Sequence, residues 1–364
     1  MEQRRIEKLE VGAFKVPTDA PEADGTLAWD STTIVIVRAS AGGRIGIGYS
    51  YTHEAARTLI EDKLKGVVEG QVAMDVTGHW QAMVGAVRNY GRQGLAANAI
   101  SAVDIALWDL KARLLNLPLV TLLGACREAI EIYGSGGFTS YSSDQLQAQL
   151  AGWVERGIGK VKMKVGSDPE ADPARVRAAR EAIGPDVDLF VDANGAYDRK
   201  QALAYAEIFA HEHGVSWFEE PVSSDDLEGL RLLRDRAPAG MDITAGEYGY
   251  DLYYFRRMLE AGAVDVMQPD VTRCTGVTGF MYAGAVCRAY GIPVSAHTAP
   301  SIHTHLCCAL PNARHIEYFH DHVRIEELLF EGAQAPRDGA LWPDLTRPGL
   351  GLELKESEAA RFAI

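Results

Sequence analysis

The chain has 364 residues, of which 47% are hydrophobic and 24% are charged, and its formal net charge at pH 7 is −14. These proportions are typical of a well-packed globular protein, and the length accommodates a barrel of about 250 residues plus a second module. The negative charge argues against binding nucleic acid or an anionic membrane surface. Five cysteines without C-x-x-C spacing, and no apolar run of signal-peptide or membrane-span length, predict a soluble cytoplasmic protein with free thiols.

The first third of the chain has strand patterning followed by helical patterning. Three extended segments predict strands, at 4–16, 33–39 and 44–51. Residues 17–31 are polar and contain two prolines, which predicts a loop between the first two strands. Residues 53–123 predict helices, most clearly over 96–115, where apolar residues recur at helical spacing. Strands followed by helices indicate an α+β capping domain over 1–125, and we expect the tail, about 343–364, to complete it.

From residue 126 to 342, short apolar runs alternate with helical segments. The eight runs are 130–133, 161–165, 187–191, 215–218, 242–245, 264–267, 292–295 and 315–317. This alternation predicts a closed parallel barrel or a doubly wound sheet. No G-x-G-x-x-G or phosphate-binding loop follows the early runs, which disfavours a nucleotide-binding sheet. The preferred interpretation is therefore a catalytic β/α barrel.

Ionisable residues end or follow most of these runs. They succeed one another at about one strand–helix unit and are Lys164, Asp192, Glu219, Glu247, Asp270, His297 and Glu317. Any one alone is more simply explained as a helix cap or a solvated loop residue. Seven in register are better explained by a barrel, whose active site lies at the carboxyl ends of the strands. Lys160, Lys162 and Lys164 share one face of their strand, and the apolar opposite face predicts that the lysines point into the barrel.

The residue types suggest a chemistry. Asp192, Glu219 and Glu247 offer three hard oxygen ligands, which favour Mg²⁺, or Mn²⁺, over zinc. Such an ion can chelate a substrate carboxylate and stabilise the enediolate that forms when the α-proton leaves. Lys164 is the candidate base, and we expect the metal charge and Lys162 to lower its pKa. Lys162 can pair with the substrate carboxylate.

A second group lies on the far side of the predicted barrel. Asp270 can orient the ring of His297 and stabilise its charged form. Glu317 can hydrogen-bond the substrate carboxylate if it stays protonated beside the metal site. A base and an acid on opposite faces of a substrate suit either racemisation or dehydration.

This set of residues resembles the enolase superfamily and, within it, the mandelate racemase-like subgroup. Lys162-Met163-Lys164 is similar to the K-x-K of the family's second strand, and the three carboxylates match its metal ligands. Asp270 with His297 matches the family's histidine–aspartate dyad. Glu317 matches the family's acid that hydrogen-bonds the substrate carboxylate, and Asn194 matches a polar residue that contacts the substrate. The resemblance implies a (β/α)7β modified TIM barrel, an α+β capping domain from both chain ends, Mg²⁺ and a homo-oligomer.

The resemblance also implies a range of reactions. We expect dehydration of a sugar acid, an aldonate or aldarate, to a 2-keto-3-deoxy acid. Racemisation or epimerisation of an α-hydroxy acid such as mandelate uses the same residues and remains the alternative. Substrate choice is expected to lie in residues 17–31 and 49–53. Most of the polar side chains in these segments can hydrogen-bond sugar hydroxyls, whereas Trp29 can stack on either a sugar or an aromatic ring. The candidate residues are Asp19, Glu22, Asp24, Trp29, Tyr49, Tyr51 and His53.

Two rival interpretations are weaker. A zinc hydrolase is suggested by His303-Thr304-His305, but positions two apart on a helix do not share a face. The histidines of HIEYFHDH, residues 315–322, are interpreted as scattered along a late loop rather than as a metal site. A non-catalytic carboxylate-binding protein is the other rival, and it is disfavoured because every lysine and every ligand position of the family pattern is kept.

Overall fold

The computed structural model describes residues 4–364, which form a capping unit and a barrel. The capping unit begins with an antiparallel sheet in the order β1-β2-β3, formed by β1 (Lys8–Ala23), β2 (Ala28–Ala41) and β3 (Arg44–Tyr51). The three predicted strands are present.

The predicted loop over 17–31 is wrong, because β1 and β2 continue through it. Their register passes from Pro17 opposite Ser31 to Glu22 opposite Trp29, so residues 18–21 bulge out of the pairing. Only 24–27 make the turn, where Asp24 Oδ1 accepts hydrogen bonds from the backbone N–H groups of 26 and 27. Prolines are tolerated here because β1 is an edge strand with an interrupted ladder.

Helices cover one face of this sheet. They are α1 (Ala55–Leu59), α2 (Lys65–Val68), α3 (Val76–Ala86), α4 (Leu95–Leu115) and α5 (Leu119–Leu123), with a π-helical turn over Ile60–Leu64. The long helix α4 matches the predicted helix closely and is buried along most of its length. It lies directly against β3, where Gly48 permits the approach: a Cβ there would lie 2.3 Å from Ala102 O and from Ala106 N.

The second unit is a closed barrel of eight parallel strands. They are β4 (Ile130–Gly136), β5 (Lys160–Lys164), β6 (Asp188–Asp192), β7 (Val215–Glu219), β8 (Asp242–Ala245), β9 (Val266–Met267), β10 (Val294–Ala296) and β11 (Ala313–Phe319). Each strand pairs with the next in chain order, and β11 pairs with β4. All eight predicted runs form strands, and closure excludes the doubly wound alternative.

A helix follows each barrel strand. The helices are α6 (Ser143–Glu155), α7 (Asp172–Ile183), α8 (Arg199–His213), α9 (Leu227–Arg236), α10 (Leu252–Glu260), α11 (Gly276–Ala289), α12 (Pro300–Ala309) and α13 (His320–Leu329). Ser142 begins α6 with a capping box, and Asp198, Asp226 and Asp251 cap α8, α9 and α10. Seven strand–helix units followed by an eighth strand give the expected (β/α)7β barrel, after which α13 leads the chain back to the cap.

Aromatic side chains fill the interior of the barrel below the polar site. Phe190 stacks on Trp217 with ring centroids 5.0 Å apart, and Tyr133 packs edge-on against Phe190. The Lys162 ammonium lies 5.3 Å from the centre of the Tyr133 ring. This buried layer carries the charged residues at the upper end of the strands.

The C-terminal segment returns to the capping unit, as expected. It contains β12 (Phe330–Glu331), β13 (Ala340–Leu341), β14 (Glu353–Leu354) and α14 (Glu356–Ala359), then a 3₁₀ turn over Ala360–Phe362. The backbone N–H of Ile364 donates to Ala13 O, and Arg113 binds both Glu353 and Leu352 O. The division of the chain at residue 125 stays a prediction. Within residues 4–364, no helix has the length and apolar character that a bilayer span requires.

Candidate active site

A cavity of about 470 Å³ lies between the capping hairpin and the carboxyl ends of the barrel strands. Its barrel wall includes Lys164, Asn194, Glu247, Tyr248, Arg273, His297, Thr298, Glu317 and Phe319. Its cap wall includes Asp24, Leu27, Trp29, Ser31, Thr32, Thr33, Tyr51, Thr52 and His53. Of the seven strand-end residues that the sequence singles out, Lys164, Glu247, His297 and Glu317 therefore face one space, which the cap borders on the opposite side.

Three carboxylates lie together at one side of the cavity, and Glu247 is the one that lines its wall. Asp192 and Glu219 end β6 and β7, Glu247 follows β8, and one oxygen from each lies within 4.8 Å of the others. All three side chains are buried, and Glu219 Oε1 has no hydrogen-bond partner. Burial, together with Asp192, raises the pKa of Glu219 to about 7. Buried like charges at such separations call for a cation, and an all-oxygen donor set fits Mg²⁺ or Mn²⁺.

Two lysines of β5 reach these carboxylates from the neighbouring strand. Lys162 Nζ lies 2.6 Å from Glu219 Oε2 and 2.8 Å from Glu317 Oε1, and Lys164 Nζ lies 2.5 Å from Asp192 Oδ2. Burial favours the neutral amines, but the carboxylates outweigh it and raise the pKa of both lysines above the usual range. The expected lowering of the Lys164 pKa depends on the metal charge and stays a prediction; among the protein groups alone, contact with Asp192 outweighs the repulsion from Lys162.

A histidine–aspartate pair lies across the cavity, at the ends of β9 and β10. His297 Nδ1 is 2.9 Å from Asp270 Oδ2, and His297 Nε2 is 3.2 Å from Glu247 Oε2. Burial disfavours the imidazolium, but Glu247, Glu317 and Asp270 outweigh it and raise the pKa of His297 to about 10. Burial also disfavours the Asp270 carboxylate, yet contact with His297 holds its pKa below the usual range. The predicted pair is therefore present, with the ring held charged.

Glu317 closes the site on β11. Its Oε1 accepts a hydrogen bond from Ser135 Oγ at 2.6 Å, and its Oε2 has no hydrogen-bond partner. Burial disfavours the carboxylate, but Lys162 and His297 lower the pKa of Glu317 to about 2. Lys162 and His297 thus favour the charged form of Glu317, and the protonated form expected beside a bound metal and substrate stays a prediction.

Asn194 lies beside the carboxylates, as its position two residues after Asp192 predicts. Its backbone N–H donates to Asp192 Oδ1 at 2.9 Å, in a turn where Asn194 has a φ of 46°. Its side chain lines the cavity, and Oδ1 has no hydrogen-bond partner. The amide is thus positioned by the backbone and left available to a ligand.

The sequence argument missed two wall residues, Arg273 and His322. Arg273 Nη1 lies 3.2 Å from Glu247 Oε1, and its guanidinium stacks over Tyr248. It comes three residues after Asp270, and a basic residue just beyond a functional strand end was the available signal. His322 stacks on Tyr51 with ring centroids 3.4 Å apart, and burial lowers its pKa to about 3.

The predicted lid is smaller than expected. Asp24, Trp29, Tyr51 and His53 line the cavity, whereas Asp19, Glu22 and Tyr49 are absent from its wall. Asp19 contacts His320, Glu22 accepts a hydrogen bond from Trp29 Nε1, and Tyr49 donates to Glu326. Asp24 Oδ1 is already engaged by the hairpin turn.

The histidine motifs of the zinc alternative are structural. On α12, His303 Nε2 accepts from the Val271 N–H and Nδ1 is 2.7 Å from Thr298 O. His305 Nδ1 accepts from the Val120 N–H. Neither belongs to a metal-type cluster in the described part of the chain, which agrees with rejecting the zinc hydrolase. The late-loop interpretation of 315–322 is wrong, because β11 continues directly into α13.

Fold and site together define a β/α-barrel enzyme with an acidic cation site between a lysine pair and a histidine–aspartate pair. Two family models match the chain: "Mandelate racemase / muconate lactonizing enzyme, N-terminal domain" over residues 9–124, and "Enolase C-terminal domain-like" over residues 145–358. The chain belongs to the enolase superfamily, in its mandelate racemase-like group, as the resemblance implied.

Relatives of known activity align over most of the chain. The L-talarate/galactarate dehydratase of Salmonella typhimurium is 32% identical, with 97% of this chain and 89% of the relative covered. The L-rhamnonate dehydratase of Saccharopolyspora erythraea is 33% identical, with 82% and 75% covered. The family is thus one of enzymes, and acid-sugar dehydratases are among its members.

Solved structures agree with the fold. A mandelate racemase/muconate lactonizing enzyme-like protein from Rubrobacter xylanophilus has a TM-score of 0.97 at 57% identity, covering 99% of this chain and all of the other, 100%. The Salmonella dehydratase, solved with Mg and L-lyxarohydroxamate, has a TM-score of 0.90 at 30% identity, with 100% and 94% covered. A racemase from Streptomyces coelicolor with bound magnesium has a TM-score of 0.92 at 30% identity, with 99% and 100% covered.

Proposed function

We propose that this protein is a Mg²⁺-dependent dehydratase that converts a sugar acid into a 2-keto-3-deoxy acid. The observation that carries the proposal is that Lys164 and His297 line one cavity together with Glu247 of the carboxylate cluster. Lys164 belongs to β5 and His297 follows β10. Around the barrel, two strands lie between β5 and β10 in one direction and four in the other. Relatives that dehydrate talarate, galactarate, rhamnonate and arabinonate support the same reaction class.

Each residue has one task in this reaction. Mg²⁺ held by Asp192, Glu219 and Glu247 would bind the substrate carboxylate and stabilise the negative charge that develops on it. Lys162 pairs with the same carboxylate, and the unpartnered oxygens of Asn194 and Glu317 orient the rest of the substrate. Those two contacts need a hydroxyl or other donor on the ligand, since both oxygens accept.

The proton transfers then follow from position. Lys164, which would lose its proton more readily once a cation on Asp192 weakened their contact, takes the α-proton and leaves an enediolate. His297, held charged by Asp270, gives a proton to the β-hydroxyl on the other face, the carbon–oxygen bond breaks, and water leaves. The enol product becomes the 2-keto-3-deoxy acid, so protons and electrons balance without a redox partner.

Racemisation of an α-hydroxy acid is the second candidate function, and the same residues serve it. Asp270 Oδ2, 2.9 Å from His297 Nδ1, stabilises the charged ring, which supports a proton donor and therefore dehydration. Among the solved structures, an enolase from Bradyrhizobium was complexed with magnesium and mandelic acid, at 27% identity, so the alternative deserves a direct test.

The charges around the cavity favour a sugar acid with one carboxylate. In residues 4–364, the cavity wall contains only two Lys or Arg side chains, Lys164 and Arg273. Arg273 is already placed 3.2 Å from Glu247 and 3.6 Å from Asp270. The cap wall offers hydroxyls such as Thr33 and the imidazole of His53, which suit an uncharged polyol. An aldonate therefore fits better than an aldarate, whose second carboxylate would lack a free cation.

The test is a screen of the Mg²⁺-loaded protein against mono- and diacid sugars and α-hydroxy acids. Formation of 2-keto product and loss of optical rotation are scored in parallel, with Lys164→Met as the inactive control. We expect keto product from an aldonate and none with the control. Racemised mandelate with no keto product from any sugar acid would contradict dehydration. No turnover of any acid would favour the non-catalytic carboxylate-binding alternative. A homo-oligomeric state and a cytoplasmic location remain part of the proposal.

A further inference from the structure

Two carboxylates and a histidine meet outside the cavity, where the capping hairpin touches the barrel. Asp19 and Glu22 lie on β1, at the bulge where β1 and β2 stop pairing, and His320 is the first residue of α13. One ligand-type atom from each lies within 4.8 Å of the others. His320 Nε2 is 2.9 Å from Asp19 Oδ2, which by itself is an ordinary surface ion pair.

The ion pair between Asp19 and His320 does not explain the burial of the Glu22 carboxylate. Its side chain is only 1% exposed, and its Oε1 has no hydrogen-bond partner, although Oε2 accepts from Trp29 Nε1 at 2.7 Å. Arg324, on the same helix as His320, donates to Pro17 O and Asp321 rather than to Glu22. Burying a carboxylate oxygen without a partner is unfavourable, and a bound cation would supply a partner for it.

We propose that Asp19, Glu22 and His320 bind a divalent transition-metal ion, distinct from the Mg²⁺ of the active site. Two carboxylate oxygens with one imidazole nitrogen suit Zn²⁺, Co²⁺ or Mn²⁺, whereas Mg²⁺ prefers an all-oxygen shell. A tetrahedral ion with bonds of about 2.0–2.2 Å needs ligand atoms roughly 3.3–3.6 Å apart. The half-exposed Asp19 side chain can supply the small adjustment, and the remaining position takes water.

Such an ion joins the two units of the fold. Asp19 and Glu22 belong to the hairpin that covers the cavity, and His320 follows the strand that carries Glu317. Binding therefore holds the hairpin against the barrel end and stabilises the folded cap by mass action. The proposal does not depend on which acid the active site converts.

The experiment uses the full chain in excess Mg²⁺, with Zn²⁺ as the probe. Crystals soaked in Zn²⁺ are measured at the zinc absorption edge, and Zn²⁺ affinity is measured by calorimetry for wild type, Asp19→Asn and His320→Gln. His211→Gln is the matched control, because His211 forms an exposed pair with Glu207 at 3.1 Å and, within residues 4–364, no third ligand-type side chain completes a cluster with them.

We expect an anomalous peak among the three side chains and one Zn²⁺ per chain beyond the active-site ion. Each ligand variant should lose more affinity than the roughly 10–100-fold that loss of an outer partner costs, while the control binds as wild type does. A peak only at the active-site carboxylates, or equal affinity in His320→Gln and wild type, overturns the proposal. If His320→Gln does not fold, Asp19→Asn decides, since Asp19 is 48% exposed.

Discussion

Acidification should destabilise this protein through the buried histidines whose pKa is lowered, and His305 offers the most direct test. The ring is fully buried on α12, where Nδ1 accepts from the Val120 N–H and Nε2 lies 3.2 Å from Leu350 O. Burial lowers the pKa of His305 to about 4, against opposing effects of Leu350 O and Asp344. The folded protein therefore keeps the ring neutral over a range in which the unfolded chain protonates it.

The sign and the magnitude follow from linkage. Between the unfolded pKa of about 6.5 and the folded value of about 4, the unfolded chain binds more protons. This stability is present above about pH 6.5 and is lost as pH falls towards about 4. The difference between the two pKa values corresponds to about 3 kcal/mol in full, of which about 2 kcal/mol is lost between about pH 7 and about pH 5.

The assay compares urea unfolding of wild type and His305→Gln near pH 7 and near pH 5. Glutamine does not titrate, so the variant should lose about 2 kcal/mol less than wild type over that interval, whatever its stability near pH 7. His211→Gln, at an exposed position, controls for removal of any histidine. Equal pH dependence in wild type and His305→Gln would refute the reasoning.

Three further predictions address the site and the cap. His297→Asn should abolish product formation but leave the fold intact, and full turnover in this variant would remove His297 from the mechanism. Mg²⁺ at about 100 times its Kd should stabilise wild type by about 2.7 kcal/mol in thermal unfolding, and Glu219→Gln should lose that gain; an equal gain in both would exclude the carboxylate site. Gly48→Ala should lower the free energy of unfolding by about 1–3 kcal/mol or more, because its Cβ would lie 2.3 Å from the backbone of α4. Gly78→Ala, which has open space around it, should not be destabilised in this way. Equal stabilities of the two variants would mean that β3 and α4 do not pack this closely.

The position of the active site was predictable from the sequence because barrel geometry is periodic. Each strand–helix unit brings the next strand end to the same rim, so residues as distant as Lys164 and Glu317 meet without any detail of loop structure. Alternation along β5 likewise predicted that Lys162 and Lys164 face inward, and both are buried. Composition and period were sufficient for these conclusions.

Charge states and the hairpin were not predictable in the same way. The proton on Glu317 depends on Lys162 at 2.8 Å and on His297, and the sequence does not contain such distances. The prolines at 17 and 21 predict a loop locally, but pairing with β2 across a bulge overrides that preference. Arg273 escaped notice because it follows the strand end by a loop turn rather than ending the strand.

The most direct test of the central claim is exchange of the α-proton in D₂O. The proton on C2 of the sugar acid identified by the screen is followed by NMR with Mg²⁺ and either His297→Asn or the double variant that also carries Lys164→Met. With elimination blocked and Lys164 intact, the single variant should replace the C2 proton with deuterium without forming keto product, and the double variant should not exchange it. Undiminished exchange in the double variant would contradict Lys164 as the base, and with it the account of the site.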